Sequence, residues 1–169
     1  MKRKKRSGVR NVLLCAITAA LGWAGTTTAN AQADFTTSFP SGVACDFELG
    51  LAGSGANFHT REFFDKNGDR IRLITAGRGY ALTFTNVDTS ATFSTRSNGS
   101  VQHEAFNADG SSTIVSTGHS ILILFPTDVP AGPSTTLYIG RVVFTNDGNT
   151  NFVLLENDGT ATDICAALQ

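Results

Sequence analysis

The sequence is poor in several residue types that mark common kinds of site. Its 169 residues include one tryptophan and three cysteines. The longest apolar stretch, Val12 to Ala24, has about 13 residues, whereas a membrane-spanning helix needs roughly 20. The sequence therefore predicts no membrane span. The only tryptophan, Trp23, lies in this stretch, and the remaining chain lacks the aromatic residue that favours a carbohydrate-binding module.

The first residues have the three parts of a secretory signal. A basic segment, Met1–Arg10, precedes the short apolar stretch, and a run of small residues with an A-x-A pattern follows and ends at Ala31. The sequence thus predicts a signal peptide over residues 1–31 and a secreted, extracellular protein.

Positive charge is scarce once the predicted signal is removed. Six of the 13 basic residues and none of the 14 acidic residues lie in the signal, so 7 basic and 14 acidic residues remain and the net charge is −7. Lys66 is the one lysine left. Nucleic acid and anionic membranes need a positive surface, and this composition argues against both as partners.

Two cysteines remain after the signal, Cys45 near the start and Cys165 near the end. In an oxidising compartment an even pair predicts one disulfide. A metal or redox role is the alternative, and the absence of a C-x-x-C spacing disfavours it. The pair is therefore expected to hold the ends of the domain together.

The body of the chain alternates apolar and polar residues with the period of a β-strand. Short segments of this kind recur every 8 to 12 residues or so, separated by turn residues, which predicts an all-β fold. We expect a single antiparallel β-barrel or β-sandwich of about 8–10 short strands over residues 43–169, after a flexible leader at 32–42. The candidate strands are 45–51, 57–65, 69–76, 80–85, 91–96, 100–106, 111–117, 119–125, 135–146 and 151–156.

The tripeptide Asn-Asp-Gly occurs twice, at Asn146–Gly148 and at Asn157–Gly159, with relatives at 66–69 and 107–110. Asn and Gly tolerate positive φ, which tight hairpin turns require. Calcium binding is the alternative, but Asp65-Lys-Asn-Gly-Asp69 places its glycine two positions too early for an EF-hand loop. We therefore expect all four copies to be turns.

The three histidines, His59, His103 and His119, have no spacing typical of a zinc site. No catalytic residue, metal ligand or cofactor is predicted. A hydrolase or metal-dependent enzyme remains an alternative, which requires at least two ionisable side chains to meet in one cleft. The candidates for that role are His59, His103, His119, Glu62, Glu104 and Asp65.

Phenylalanine is the dominant aromatic residue, with 12 copies against two tyrosines. Such a composition favours a packed core, although a phenylalanine-lined interior can also hold a small apolar ligand. Tyr80 and Tyr138, the amphipathic aromatics, are the predicted ligand-binding residues. The run Ile121–Phe125 is apolar on both faces, so it must be covered on both, in a central strand or at an interface.

The chain resembles a group of small secreted proteins from actinobacteria. The similarity lies in the early Cys45-Asp-Phe47, the segment Asp109–Pro126, Gly140–Phe144 and the closing Asp163–Leu168. It implies a signal peptide, two terminal cysteines and a β-rich body, and no assigned activity.

Three functions remain open from the sequence. The first is a secreted, non-enzymatic β-domain that binds a small apolar ligand or a cell-envelope partner, which predicts a cavity or an exposed apolar patch. The second is a structural or protective envelope protein that self-associates, which predicts a solid core. The third is the enzyme described above.

Overall fold

The computed structural model describes residues 33–148 and 151–169, and the predicted signal peptide lies outside them. Within these residues the chain forms ten strands and one short helix, which confirms the all-β fold. The elements are β1 (Phe35–Phe39), β2 (Leu49–Ser54), β3 (Asn57–Phe64), β4 (Arg70–Arg78), β5 (Ala81–Asn86), β6 (Thr92–Thr95), β7 (Gly99–Phe106), β8 (Ser112–Leu124), β9 (Ser134–Asn146), β10 (Phe152–Asp163) and α1 (Ile164–Ala167).

The strands form two antiparallel sheets. The smaller sheet has the order β1-β2-β5-β6 and the larger has the order β10-β9-β8-β7-β4-β3. One core cluster joins them, since it combines Leu49 and Phe84 of the smaller sheet with Leu137 of the larger. Apolar side chains of both sheets are thus removed from water in one layer, as in a β-sandwich.

The ends of the domain are fastened to this core. Cys45 and Cys165 form a disulfide with a Cα–Cα distance of 5.6 Å, as the sequence predicts. Asp163 caps α1 by accepting a hydrogen bond from the backbone N–H of Ala166. The cap directs Ile164 into the core, where its side chain is fully buried.

Several strand boundaries differ from the prediction. The expected flexible leader, 32–42, contains β1, which pairs with β2 from Phe35 to Phe39. The first predicted strand, 45–51, begins only at Leu49, because the preceding residues form turns around the buried Cys45. The segments 111–117 and 119–125 are one strand, β8.

Three of the four Asn/Asp-Gly segments are turns, as predicted. Gly68, Gly110 and Gly148 all have positive φ, at 91°, 87° and 83°. In the first turn the Asp65 carboxylate accepts the backbone N–H groups of Asp69 and Asn67, and these hydrogen bonds lower its pKa. The carboxylate is therefore engaged by its own turn, as the turn interpretation requires.

The fourth copy, Asn157–Gly159, is not a turn, so that prediction was wrong. These residues lie within β10, where Asn157 pairs with Val142 and Gly159 pairs with Gly140. The local turn preference is overridden because pairing with the long strand β9 satisfies the backbone groups of this segment.

A row of glycines crosses the larger sheet. In the strand register, Ser100 of β7 pairs with Gly77 of β4 and Gly118 of β8, and the row continues through Gly140 of β9 to Gly159 of β10. A Cβ atom on any of these glycines would come within 3.0 Å of a carbonyl oxygen on the neighbouring strand. Only glycine permits so close an approach of two backbones.

The larger sheet bends sharply along this glycine row. Ser116 and Ser120 flank Gly118 on β8, and their hydroxyl groups are hydrogen-bonded to each other. Four residues of a straight strand span about 13 Å, so this bond requires the strand to fold back at Gly118. The two halves of the creased sheet enclose a second apolar cluster that includes Leu122 and Val142.

A buried carboxylate holds the loop between β8 and β9. The Asp128 side chain accepts the backbone N–H groups of Phe125, at 2.6 Å, and of Phe152, at 2.7 Å, and the residue is 3% exposed. The next residue, Val129, forms a parallel bridge with Val153 and so pairs with the outer edge of β10. Asp128 thus connects the loop to the first residue of β10.

We expect Asp128→Ala to lower the free energy of unfolding by about 3 kcal/mol, because two backbone donors lose a charged acceptor. Urea unfolding measures the change. Asp88→Ala is the matched control, since Asp88 is exposed, and it should change stability by less than about 0.5 kcal/mol. Equal effects of the two substitutions would contradict a role of Asp128 in holding the loop.

Candidate functional site

A cavity of about 380 Å³ lies beside the crease and is lined by residues of both sheets, with Leu82 and Thr95 from the smaller sheet. Three residues of its wall, Thr75, Gln102 and Ser116, are direct partners across β4, β7 and β8. Beyond the crease, Ser120 and Leu122 contribute the facing wall. Ser116 and Ser120, which flank Gly118 of the glycine row, both line the cavity, and we call it the crease cavity.

The wall of the crease cavity combines apolar and polar side chains. Leu82, Leu122, Val142 and Phe144 supply apolar surface, and the serine, threonine and glutamine side chains named above supply hydrogen-bonding groups. A mostly apolar wall with a few polar groups is typical of small-molecule sites, which have volumes of roughly 300–1,000 Å³.

Charge in the crease cavity has one sign. Arg96 and His119 are among its lining residues, and no aspartate or glutamate is among the described residues that line it. The domain that surrounds it carries twice as many acidic as basic side chains. The cavity is therefore a local environment that favours a negative or hydrogen-bond-accepting group.

Tyr80, a predicted ligand-binding residue, lines the crease cavity together with Phe58. The two side chains are 36% and 43% exposed, respectively, so they lie where the cavity meets solvent. Tyr80 makes edge-to-face contacts with Phe35, at a centroid distance of 5.0 Å, and with Phe58, at 6.3 Å. These contacts hold an aromatic rim at the mouth.

Tyr138, the other predicted ligand-binding residue, lies elsewhere. It is buried in the second apolar cluster beside Leu122 and Val142, and it is absent from the described wall of the crease cavity. It shares this cluster with two residues of that wall, Leu122 and Val142, and so packs next to the cavity without lining it.

A second hollow of about 430 Å³ adjoins the first. The two share four lining residues, Gln102, Ile121, Leu122 and Phe144. Glu104 lines the second hollow, and its carboxylate accepts a hydrogen bond from the Ser112 hydroxyl at 2.7 Å. Ser100 and Gln102 of β7 line the first hollow and Gln102 and Glu104 line the second, so the two hollows follow β7, with Arg96 at the first and the Glu104 carboxylate at the second.

The histidines do not converge. His119 lines the crease cavity, whereas His59 and His103 lie exposed on the opposite face of β3 and β7. Glu62 forms an ion pair with Arg70 at 2.8 Å on the hairpin of β3 and β4. Of the six ionisable residues that the enzyme hypothesis requires, only His119 is in the crease cavity, so the arrangement does not support that hypothesis.

The described residues were searched for metal sites and membrane-spanning helices. Within residues 33–148 and 151–169, no group of three His, Cys, Asp or Glu side chains is arranged to hold a metal ion. The helix in these residues is too short to cross a membrane.

Sequence reasoning missed most of the crease cavity. The glycines of the row beside it stand at 77, 118, 140 and 159, which are unevenly spaced in the chain. Only the strand register aligns them, and no local pattern could have identified the serine and threonine residues beside them as a wall. Positions of glycine within predicted strands were the one available signal.

No known protein family, curated protein or solved structure matches this chain in the comparisons made. The resemblance to small secreted actinobacterial proteins therefore stays a prediction.

Proposed function

We propose that this protein is a secreted β-domain that binds a small, elongated amphiphilic molecule without acting on it chemically. The observation that carries the proposal is the crease cavity, which has about 380 Å³ of space lined by residues of both sheets. The hypothesis of a small apolar ligand predicted such a cavity, whereas a purely structural protein predicted a solid core.

The shape and lining of the site favour a ligand with an apolar body. Apolar side chains from β5, β8 and β9 line the space, and the adjoining hollow extends it along Leu122 and Phe144. Removal of an apolar ligand surface from water contributes about 25 cal/mol per Å². Each polar wall group needs a partner or water, so a ligand with one polar end fits better than a hydrocarbon.

The polar end of the ligand is expected to be anionic or a hydrogen-bond acceptor. Arg96 supplies a permanent positive charge at the cavity, and its guanidinium can donate two parallel hydrogen bonds to a carboxylate. The same wall has no described carboxylate that would repel such a group. A molecule with an acidic head and an apolar body is the class that this arrangement favours.

Native mass spectrometry of the protein as its host secretes it tests the proposal. We expect a complex that releases an organic molecule with an apolar body and an acidic or acceptor head on denaturation. The same spectrum reports the cleavage site, the disulfide and the number of subunits. A bare protein that also fails to bind a medium-chain fatty acid, added as a probe, would contradict the proposal.

A substitution that fills the crease cavity should abolish binding. Thr75→Phe places a large side chain in the wall, and we expect the fraction of protein that carries the ligand or the fatty-acid probe to fall at least about tenfold. Thr60→Phe is the matched control, because Thr60 pairs with Thr75 on the exposed strand β3 and the two hydroxyls share one hydrogen bond. Both substitutions remove that bond, but only one fills the cavity.

Thermal unfolding of both variants separates a filled cavity from a misfolded domain. If Thr75→Phe unfolds the protein, Ser100→Leu repeats the test from the neighbouring strand with a smaller side chain. Undiminished binding by folded Thr75→Phe protein would place the ligand elsewhere and refute the crease cavity as the site.

A further inference from the structure

The basic residues that remain after the predicted signal are concentrated on one hairpin. Five of the seven lie between residues 61 and 78, on β3, β4 and the turn that joins them. The amino-acid composition, with its net negative charge, conceals this concentration. Alternation on β3 separates Arg61 from Glu62, and the ion pair with Glu62 places Arg70 on the face of Glu62, beside a register shift between Phe63 and Phe64.

One face of the hairpin has cations and no carboxylate. Arg61 pairs with Ile74, which pairs with His103 on β7, and Phe63 pairs with Arg72. His59 lies two residues from Arg61 on β3 and so shares this face. We call these residues the arginine face: His59, Arg61, Phe63, Arg72, Ile74 and His103.

The guanidinium groups of the arginine face are held in place but carry no ion pair among the described residues. Arg61 and Arg72 both lie over the Phe63 ring, at 5.0 Å and 4.2 Å from its centroid. Glu62 and Glu104 fall on the opposite face by strand alternation, where Glu62 pairs with Arg70. The two arginines of this face remain available to an external anion.

Apart from Asp69, which lies in the turn of the hairpin, the carboxylates nearest to the arginine face are engaged or distant. Asp65 and Asp109, at the tips of the two hairpins, accept hydrogen bonds within their own turns. Glu156 and Asp158 lie on β10, three strands from His103 and therefore about 14 Å away, and they pair with Arg141. At 0.1 M salt the Debye length is about 10 Å, so these acids are largely screened from the arginine face.

We propose that the arginine face binds an extended anionic polysaccharide. Arg61 and Arg72 are diagonal neighbours on an open strand surface, about 7 to 8 Å apart, which suits successive charges along a polymer rather than one enclosed anion. Single-stranded nucleic acid would need free aromatic platforms, but the Phe63 ring is covered by two guanidiniums. Because the polysaccharide would be recognised through its charge, the lack of tryptophan after the predicted signal does not argue against this ligand. This inference is independent of the crease cavity.

Binding to alginate, a polysaccharide with a carboxylate on every sugar, tests the proposal, with neutral dextran as the control polymer. We expect Arg61→Gln/Arg72→Gln to weaken alginate binding at least about tenfold. Lys66→Gln/Arg70→Gln removes the same charge from the same hairpin but not from the arginine face, and it should change binding less than about twofold. Both double variants have the same net charge.

Three outcomes would overturn the proposal. Equal weakening by both variants would show that net charge alone decides binding, and tighter binding of a single-stranded oligothymidylate would identify nucleic acid as the ligand class. If the Arg61→Gln/Arg72→Gln variant, measured without polysaccharide, sediments differently from the wild-type protein, the arginine face is instead occupied by a second copy of this chain. Circular dichroism establishes that each variant is folded. If the glutamine variant is unfolded, Arg61→Lys/Arg72→Lys replaces it, and alginate binding unchanged by that variant would also refute the guanidinium contacts.

Discussion

Gly118→Ala is expected to lower the free energy of unfolding by about 4 kcal/mol or more. Gly118 has a φ of 96°, and an added Cβ atom would lie inside 3.0 Å of the Gly99 carbonyl oxygen. Because that oxygen belongs to the backbone of β7, it cannot move without breaking the strand pairing. Urea unfolding followed by circular dichroism measures the loss.

The matched control is Gly110→Ala. Gly110 has a similar φ of 87°, but an added Cβ atom there meets nothing within 4 Å. We expect it to cost only the conformational term of about 1 to 2 kcal/mol. The difference between the two variants isolates the close approach of the strands, and equal costs would contradict a crease that depends on that approach.

Removal of the disulfide is expected to have an effect of similar size. Cys45 and Cys165 are separated by 120 residues, and this long loop gives a stabilisation of about 4 to 5 kcal/mol in the chain-entropy model. Alanine at both positions avoids a free thiol and a buried hydroxyl. Urea unfolding of Cys45→Ala/Cys165→Ala should therefore show a much lower midpoint and a steeper denaturant dependence, because the uncrosslinked unfolded chain exposes more surface.

Reduced wild-type protein is the control for the alanine variant. Both lack the crosslink, so their free energies of unfolding should agree within about 1 kcal/mol. A loss below about 1.5 kcal/mol in both would contradict the loop-entropy account and indicate that the unfolded chain stays compact without the disulfide.

The cavity and the disulfide differ in how far sequence could predict them. The disulfide followed from counting cysteines after the predicted signal, and the strand content followed from alternation and turn residues. These signals are local, because each depends on a few neighbouring residues. The prediction failed where a distant strand decided the outcome, as at Asn157–Gly159, where pairing with β9 replaced the expected turn.

The positions of the histidines and tyrosines also could not be predicted from local sequence patterns. Alternation could place His103 and Glu104 on opposite faces of β7, but it could not bring His119 into a cavity with Arg96. Tyr80 and Tyr138 are equally amphipathic in sequence. Their surroundings differ because Tyr80 lies at the cavity mouth and Tyr138 lies within the fold of the creased sheet.

Charge shows most clearly what the sequence determines and what the tertiary structure determines. The sequence alone determined that the domain is acidic, all-β and closed by one disulfide, because composition and local periodicity carry that information. The tertiary structure decided where charge and space lie. Strand register aligns the four glycines into a crease, because pairing between strands far apart in the chain sets which residues become neighbours, and the register of the β3–β4 hairpin collects Arg61 and Arg72 on one face.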